Sequence, residues 1–370
     1  MAKHARADAT EETPSFDESA PVAAPSFEEP AAKKKRKWPL VVIPLVVLAL
    51  VAGGIAFALN QKPAPEPKAD PKPVSSAKVS DPAPKTSSEP ASEPEPEPVP
   101  DPFYVLVVGN DIRTGTAQTT GHGADGTSRS DTMMLVRVDP GTFQITILTI
   151  PRDTRSTILG PVTKLNEAYN AGGMAYSVMA VEQLTGRTVP YYMNMTFRQF
   201  ADFIDSIGGI DANVPVGMSL TNIFDNVTEI YLEPGEQHLD GAQALVLMRQ
   251  RKQYGGNQDA MRQINDRAMV ETIIRRVLSA GDAEVEFFTR AIMSQMETNF
   301  TEEQLLELVH RFVQNADKVT FYLGTAPYDG GADPETGAWL CYPAEETWAE
   351  LMNVIDAGGD PNTVVVSPSF

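Results

Sequence analysis

The hydrophobic pattern changes character several times along the chain. Residues 1–32 are rich in Ala, Pro, Glu and Ser with few large apolar side chains. Such a segment cannot bury enough surface to fold alone. A short echo within it, Pro14-Ser15-Phe16-Asp17-Glu18 and Pro25-Ser26-Phe27-Glu28-Glu29, reads as low-complexity drift. Trp38 to Leu59 then carries no charge. At 1.5 Å per residue this run spans roughly 33 Å, enough for the hydrocarbon core of a bilayer. The cluster Lys33-Lys34-Lys35-Arg36-Lys37 precedes it directly, so the positive-inside rule places the N-terminus in the cytoplasm. Ala56-Phe57-Ala58 resembles a signal-peptide cleavage site, but the long tail and long apolar run favour an uncleaved anchor. Residues 60–101 alternate Pro, Glu, Lys, Ala and Ser and end in "EPEPEPVPDP". That composition predicts an extended, semi-rigid spacer on the outer side. The expected division is therefore 1–37 cytoplasmic tail, 38–59 transmembrane helix, 60–101 linker and 102–370 folded domain.

Within 102–370 apolar runs alternate with helical spacing. Phe103 to Val108 is a continuous apolar run, which predicts a central strand buried on both faces. Thr132 to Val138 and Phe143 to Ile150 predict two more strands, joined at Pro140-Gly141. Met174 to Leu184 and Thr196 to Ile207 have helical spacing, and Gly208-Gly209 stops the second. Val189 to Met195 and Val214 to Val216 read as further strands. Asp240 to Arg251 and Asp259 to Leu278 read as helices. Thr301 is a good N-cap for a helix over 302–313. Val319 to Leu323 predicts a late strand and Ala344 to Ile355 a final helix. Interleaved strands and helices argue for an α/β layered domain.

Charge narrows the function classes. The chain has 49 acidic and 30 basic residues, a formal net charge of -19. It would repel nucleic acid rather than displace its counterions, so no nucleic-acid partner is expected. One cysteine, Cys341, excludes an internal disulfide and a cysteine-rich zinc site. The basic residues of 102–370 are nearly all Arg; the only lysines are Lys164, Lys252 and Lys318. That skew suits planar, two-pronged recognition of anions, although GC-rich coding bias also produces it.

Several familiar motifs fail on inspection. Gly121-His122-Gly123-Ala124-Asp125-Gly126 matches GxGxxG but precedes a strand rather than a helix, so it lacks a phosphate cradle. There is no Walker sequence and no GxSxG elbow, and His4, His122, His238 and His310 never pair at metal spacing. What remains is a set of acids and arginines at strand ends. Asp111 follows the first strand, Arg129 and Asp131 open the second, and Arg152 and Asp153 follow the third. Strand mouths of an α/β sheet commonly share one ligand crevice. Carboxylates that hold Mg²⁺ and guanidiniums that neutralise phosphate are the ingredients of a metal and polyphosphate site. Arg249, Arg251, Arg262 and Arg267 follow later. Arg249 and Arg251 diverge on a continuous helix and converge only if the helix ends there.

Seven segments in series, "VLVVGND", "RSDTMMLVRVDP", "ITILTIPRDT", "KLNEAYNAGG", "FADFIDSIGGIDANVP", "LEPGEQHLDGAQALVLMRQR" and the arginine-bearing helix, resemble the LytR–CpsA–Psr (LCP) family. The resemblance implies an αβα sandwich with a mixed central sheet and an apolar pocket for a polyprenyl chain. It implies an enzyme that moves a glycopolymer from an undecaprenyl-pyrophosphate carrier onto peptidoglycan outside the cell membrane, with Mg²⁺ as cofactor. On matched positions, Asp111 and Asp131 would hold Mg²⁺. Arg129, Arg152, Arg249, Arg251 and Arg262 would hold the pyrophosphate, with Lys164 as a supporting cation and Asp153 as a partner for the arginines. Asp111, Asp131 and Arg152 would be the catalytic set. A non-catalytic receptor for the same lipid is the alternative. Two departures stand out. The loop from Asp111 to Asp131 is long, and Asn265-Asp266 stands where members commonly carry a second Arg followed by Gln.

Overall fold

The computed structural model describes residues 100–112 and 128–367. The expected tail, transmembrane helix, most of the linker and the GxGxxG-like loop lie outside them. Among the described residues no helix is long and apolar enough to cross a membrane.

The first strand, β1 (Phe103–Asn110), leads antiparallel into β2 (Ser130–Asp139), which leads antiparallel into β3 (Gln144–Thr149). Two short strands, β4 (Arg155–Ser156) and β5 (Thr163–Lys164), pair beyond β3. Helix α1 (Glu167–Thr185) follows, then β6 (Tyr191–Thr196), which lies parallel to β1. Next come α2 (Phe197–Ser206), β7 (Ile210–Val214), β8 (Met218–Thr221), β9 (Glu229–Leu232) and β10 (Gly235–Leu239). Helices α3 (Gly241–Arg249), α4 (Gln258–Leu278) and α5 (Asp282–Gln295) precede β11 (Glu297–Thr298) and α6 (Glu302–Val313). The chain ends with β12 (Thr320–Thr325), the hairpin β13 (Tyr328–Ala332) and β14 (Trp339–Pro343), and α7 (Glu345–Asp356).

The central sheet runs β11-β6-β1-β2-β3-β12 and is mixed, with β1–β6 and β3–β12 parallel. Its strands alternate between two cores, because successive side chains point to opposite faces. Val105, Met134, Val136 and Ile147 face α2 to α6, whereas Leu106, Val108, Met133 and Leu135 face α1 and α7. This explains the unbroken apolar runs in the sequence. The fold is thus α/β with a mixed sheet between two helical layers.

Local chemistry sets the helix boundaries. Thr196 caps α2, Asp240 caps α3 and Thr301 caps α6, each through a reciprocal capping box with the Gln at the third helical position. Gly241 sits against α2: its N–H donates to Asp205 Oδ1 at 2.7 Å, and an added Cβ would stand 2.6 Å from the Ala201 Cα. Gly241→Ala is therefore expected to destabilise the fold by about 1–3 kcal/mol, read as a lower urea midpoint at unchanged slope.

Three expectations need correction. The strand expected at 214–216 is Ile210–Val214 instead, since Pro215 has no N–H to continue a ladder. The helix expected from Met174 begins at Glu167 and breaks at Gly172-Gly173, where Gly173 has φ 61°. The helix expected to reach Arg251 ends at Arg249, with Gln250 extended.

Candidate active site

The carboxyl ends of β1 and β3 and the start of β2 converge on α4. The β1–β2 register shifts at Gly109/Asn110, turning the chain out of the ladder just before Asp111. Asp111 is buried; its N–H donates to the Arg129 carbonyl at 3.1 Å and its Oδ1 accepts the Arg129 N–H at 2.8 Å. One residue into β2, Asp131 accepts from Arg152 Nη1 at 2.5 Å. Arg152 reaches it from the turn after β3. Burial works against the Arg152 charge, but Asp131 and Asp153 outweigh it and hold the guanidinium protonated.

Helix α4 supplies the opposite wall. Arg262 is buried, and its guanidinium meets Asp266 Oδ2, Thr132 Oγ1 at 3.2 Å, Asp259 Oδ1 at 3.3 Å and the Asp131 carbonyl at 3.3 Å. Burial opposes its charge too, yet Asp266, Asp259 and Asp131 raise its affinity for the proton. Arg251 is the reverse case. Burial, with Arg262 and Arg152 nearby, lowers its proton affinity, while Asp259 at 3.8 Å pulls the other way. The Asp266 carboxyl is pushed up to about 6 by burial, against the pull of Arg262 and Thr132. Arg249 projects from the last turn of α3 over the Phe197 ring, 5.0 Å from its centroid.

Asp111, Asp131, Thr132, Arg152, Arg249, Arg251 and Arg262 line one cavity of about 350 Å³. Arg249 and Arg251 converge because α3 ends between them. A second cavity of about 200 Å³ is lined only by apolar side chains, including Val105, Val136, Phe203, Ile274, Ile292 and Leu308. Val107, Met195, Val270 and Ile273 line both. The charged cavity, the mouth, thus abuts an apolar channel between the sheet and α4 to α6. Of residues 174–207, α1 packs on the opposite face of the sheet. Within that stretch the lining comes from Met193 and Met195 of β6 and from α2, through Phe197 and Phe200 at the mouth and Phe203 in the channel.

Three expected site residues stand off the cavity wall. Arg129 pairs with Glu167 at 2.8 Å. Asp153 pairs with Lys164 at 2.8 Å and lies 4.0 Å from Arg152 Nε, so these two flank Arg152 rather than the cavity. Asp259 and Asp266 escaped the sequence reading as site residues. Their signal was the spacing Asp259-Arg262-Asp266, which puts all three on one helical face.

The donor set fits Mg²⁺. Asp111 and Asp131 offer hard carboxylate oxygens to the same cavity. Among the described residues no group of three or more His, Cys, Asp or Glu side chains is arranged to hold a metal. A Mg²⁺ held by one or two carboxylates normally completes its shell with water and phosphate oxygens, so two protein ligands suffice.

A family model decides the kinship: that of the LytR_cpsA_psr family matches residues 73–340. The chain belongs to the LytR_cpsA_psr family. Among curated relatives it is 34% identical over 176 residues to the polyisoprenyl-teichoic acid–peptidoglycan teichoic acid transferase TagV of Bacillus subtilis (strain 168), covering 46% of this chain and 45% of that protein. The chain thus spans less than half the length of that relative. It is 27% identical over 267 residues to the transferase of the same description, TagU, of Bacillus mycoides (strain KBAB4), covering 69% of this chain and 78% of that protein. The crystal structure of B. subtilis TagV superposes with a TM-score of 0.57 at 24% identity, over 73% of this chain and 99% of that one.

Proposed function

We propose that this LCP-family protein is a membrane-anchored phosphotransferase. It attaches a glycopolymer, carried on a polyprenyl pyrophosphate, to peptidoglycan outside the cell. The observation that carries this reading is the junction of the arginine-lined cavity with the apolar channel. A lipid pyrophosphate has that polarity: two phosphates joined to a long hydrocarbon. The names of the TagV and TagU relatives supply the glycopolymer and the acceptor.

In this reading Arg152, Arg249, Arg251 and Arg262 bind the pyrophosphate oxygens, and the channel takes the first isoprenyl units. The acceptor sugar hydroxyl attacks the phosphorus next to the glycan. The P–O bond to the lipid phosphate breaks, giving a glycan–phosphate–sugar diester, polyprenyl phosphate and one proton. Negative charge grows on the leaving phosphate, where fixed guanidiniums stabilise it without reorganisation. Asp111 or Asp131, or a phosphate oxygen, accepts the hydroxyl proton. Asp111 and Asp131 would hold Mg²⁺, which when bound supplies further neutralisation of the phosphate charge.

The test is release of polyprenyl phosphate from a polyprenyl-pyrophosphate saccharide by the full chain. Chelation of divalent cations is expected to lower the rate by at least about 100-fold, with recovery on adding Mg²⁺. Undiminished turnover in chelator would remove Mg²⁺ from the account. Asp111→Asn should reproduce the chelator's effect while the protein still binds a polyprenyl monophosphate.

A further inference from the structure

Asp266 departs from the family pattern noted in the sequence, and the structure places it beside Arg262. It lies in α4 with its side chain 1% exposed. Oδ2 accepts from Arg262 Nη1 and from Thr132 Oγ1 at 3.0 Å. Thr132 Oγ1 in turn accepts from Arg262 Nη1 at 3.2 Å. The three side chains close a triangle between α4 and β2. Asp266 itself is absent from the cavity wall, whereas Arg262 and Thr132 line it.

Holding a charge there is costly. Asp266 Oδ1 is buried without a hydrogen-bond partner, and an unsatisfied buried carboxylate oxygen is destabilising. A neutral amide in the same place would avoid the part of that cost that comes from burying a charge. The charge is therefore explained by what it does to Arg262. A guanidinium on a long side chain has many rotamers, and a charge-assisted bond selects one of them. Thr132 locks the same fork to β2, and the Asp131 carbonyl takes Nη2 at 3.3 Å. The carboxylate also offsets part of the positive charge on that wall, so the resting pyrophosphate is gripped less tightly. Interactions that favour the bound ground state as much as the transition state do not raise turnover.

We infer that Asp266 is a positioning residue: it fixes the Arg262 guanidinium for the transition state and moderates its grip on the bound pyrophosphate. This rests on the phosphotransferase reading above. It predicts a split between kinetic constants in Asp266→Asn. kcat falls by about 10- to 100-fold, while KM for the lipid donor stays within threefold or falls. Inorganic pyrophosphate with Mg²⁺, measured calorimetrically on the full chain, binds at least as tightly as in the wild type. In an Arg262→Lys background the Asp266→Asn change costs no more than a further twofold, because its effect passes through Arg262. Thr132→Val, which keeps the side-chain shape, gives a smaller kcat loss in the same direction; it decides the matter if Asp266→Asn does not fold. A kcat within twofold of wild type overturns the inference. So does a full, multiplicative loss in the Arg262→Lys background, or a KM that rises in step with the kcat loss. A wild-type protein that neither turns over the donor nor binds pyrophosphate overturns the phosphotransferase reading itself. A wild type that does both beside an unaffected Asp266→Asn overturns the positioning role alone.

Discussion

Arg152→Ala is expected to lower kcat for a polyprenyl-pyrophosphate donor by about 1,000-fold, the range found when an arginine or oxyanion donor leaves a phosphoryl- or acyl-transfer site. Arg152 joins the Asp131 carboxylate to the cavity's cationic wall of Arg249, Arg251 and Arg262. Its Nη1 binds Asp131, and its Nε, 4.0 Å from Asp153, is buried without a hydrogen-bond partner, so part of the fork lacks an acceptor that a phosphate oxygen would supply. The substitution should leave the fold intact. The Arg152 carbonyl accepts the Asn166 N–H at 3.1 Å whatever the side chain. The Arg152 side chain is 22% exposed and that of Asp131 26%, so Asp131 keeps some access to water once its partner is gone. Arg152→Lys should recover only a small part of the rate, since a point charge cannot serve Asp131 and a phosphate as a planar fork does. Unchanged far-ultraviolet dichroism with turnover near wild type would place the chemistry elsewhere.

The second large effect is expected in the channel. Ile273 lines both cavities, at the junction where the charged site abuts the apolar space. Ile273→Trp fills that junction. Each methylene kept out of an apolar site forfeits about 0.8 kcal/mol. Excluding even one isoprenyl unit therefore predicts at least about a 100-fold loss of affinity for a long-chain donor. Binding of inorganic pyrophosphate should change by less than about twofold, because the arginines are untouched. The contrast between the two ligands is the readout, and overpacking strain of about 1–3 kcal/mol is monitored separately by urea unfolding. Equal weakening of both ligands would mean that the channel does not hold the lipid.

The central strands were legible because burial on both faces leaves long apolar runs with few polar positions. Phe103 to Val108 shows this most plainly. The capped helices were legible because Thr196, Asp240 and Thr301 announce their own starts. Hairpins such as β8–β9 and β13–β14 were not, since their strands are short and half polar. Within the site, strand-end positions brought Asp111, Asp131 and Arg152 to one wall, as the sequence suggested. The fate of Arg129 depended on a distant partner, Glu167, which local pattern cannot reveal. Asp266 illustrates the opposite limit. Its helical spacing from Arg262 was visible, but hydropathy assigns charged faces to solvent by default. Only the packing of α4 against β2 shows that this face is buried.

The most direct measurement follows a doubly labelled donor, with one label in the polyprenyl chain and one in the saccharide, incubated with the full chain, Mg²⁺ and insoluble peptidoglycan. The account predicts that the saccharide label enters the insoluble fraction as polyprenyl monophosphate is released, in equal amounts, and that both signals vanish in Arg152→Ala. Donor that binds tightly but is recovered whole, with no label on peptidoglycan, would contradict it and mark the protein as a receptor for the lipid instead.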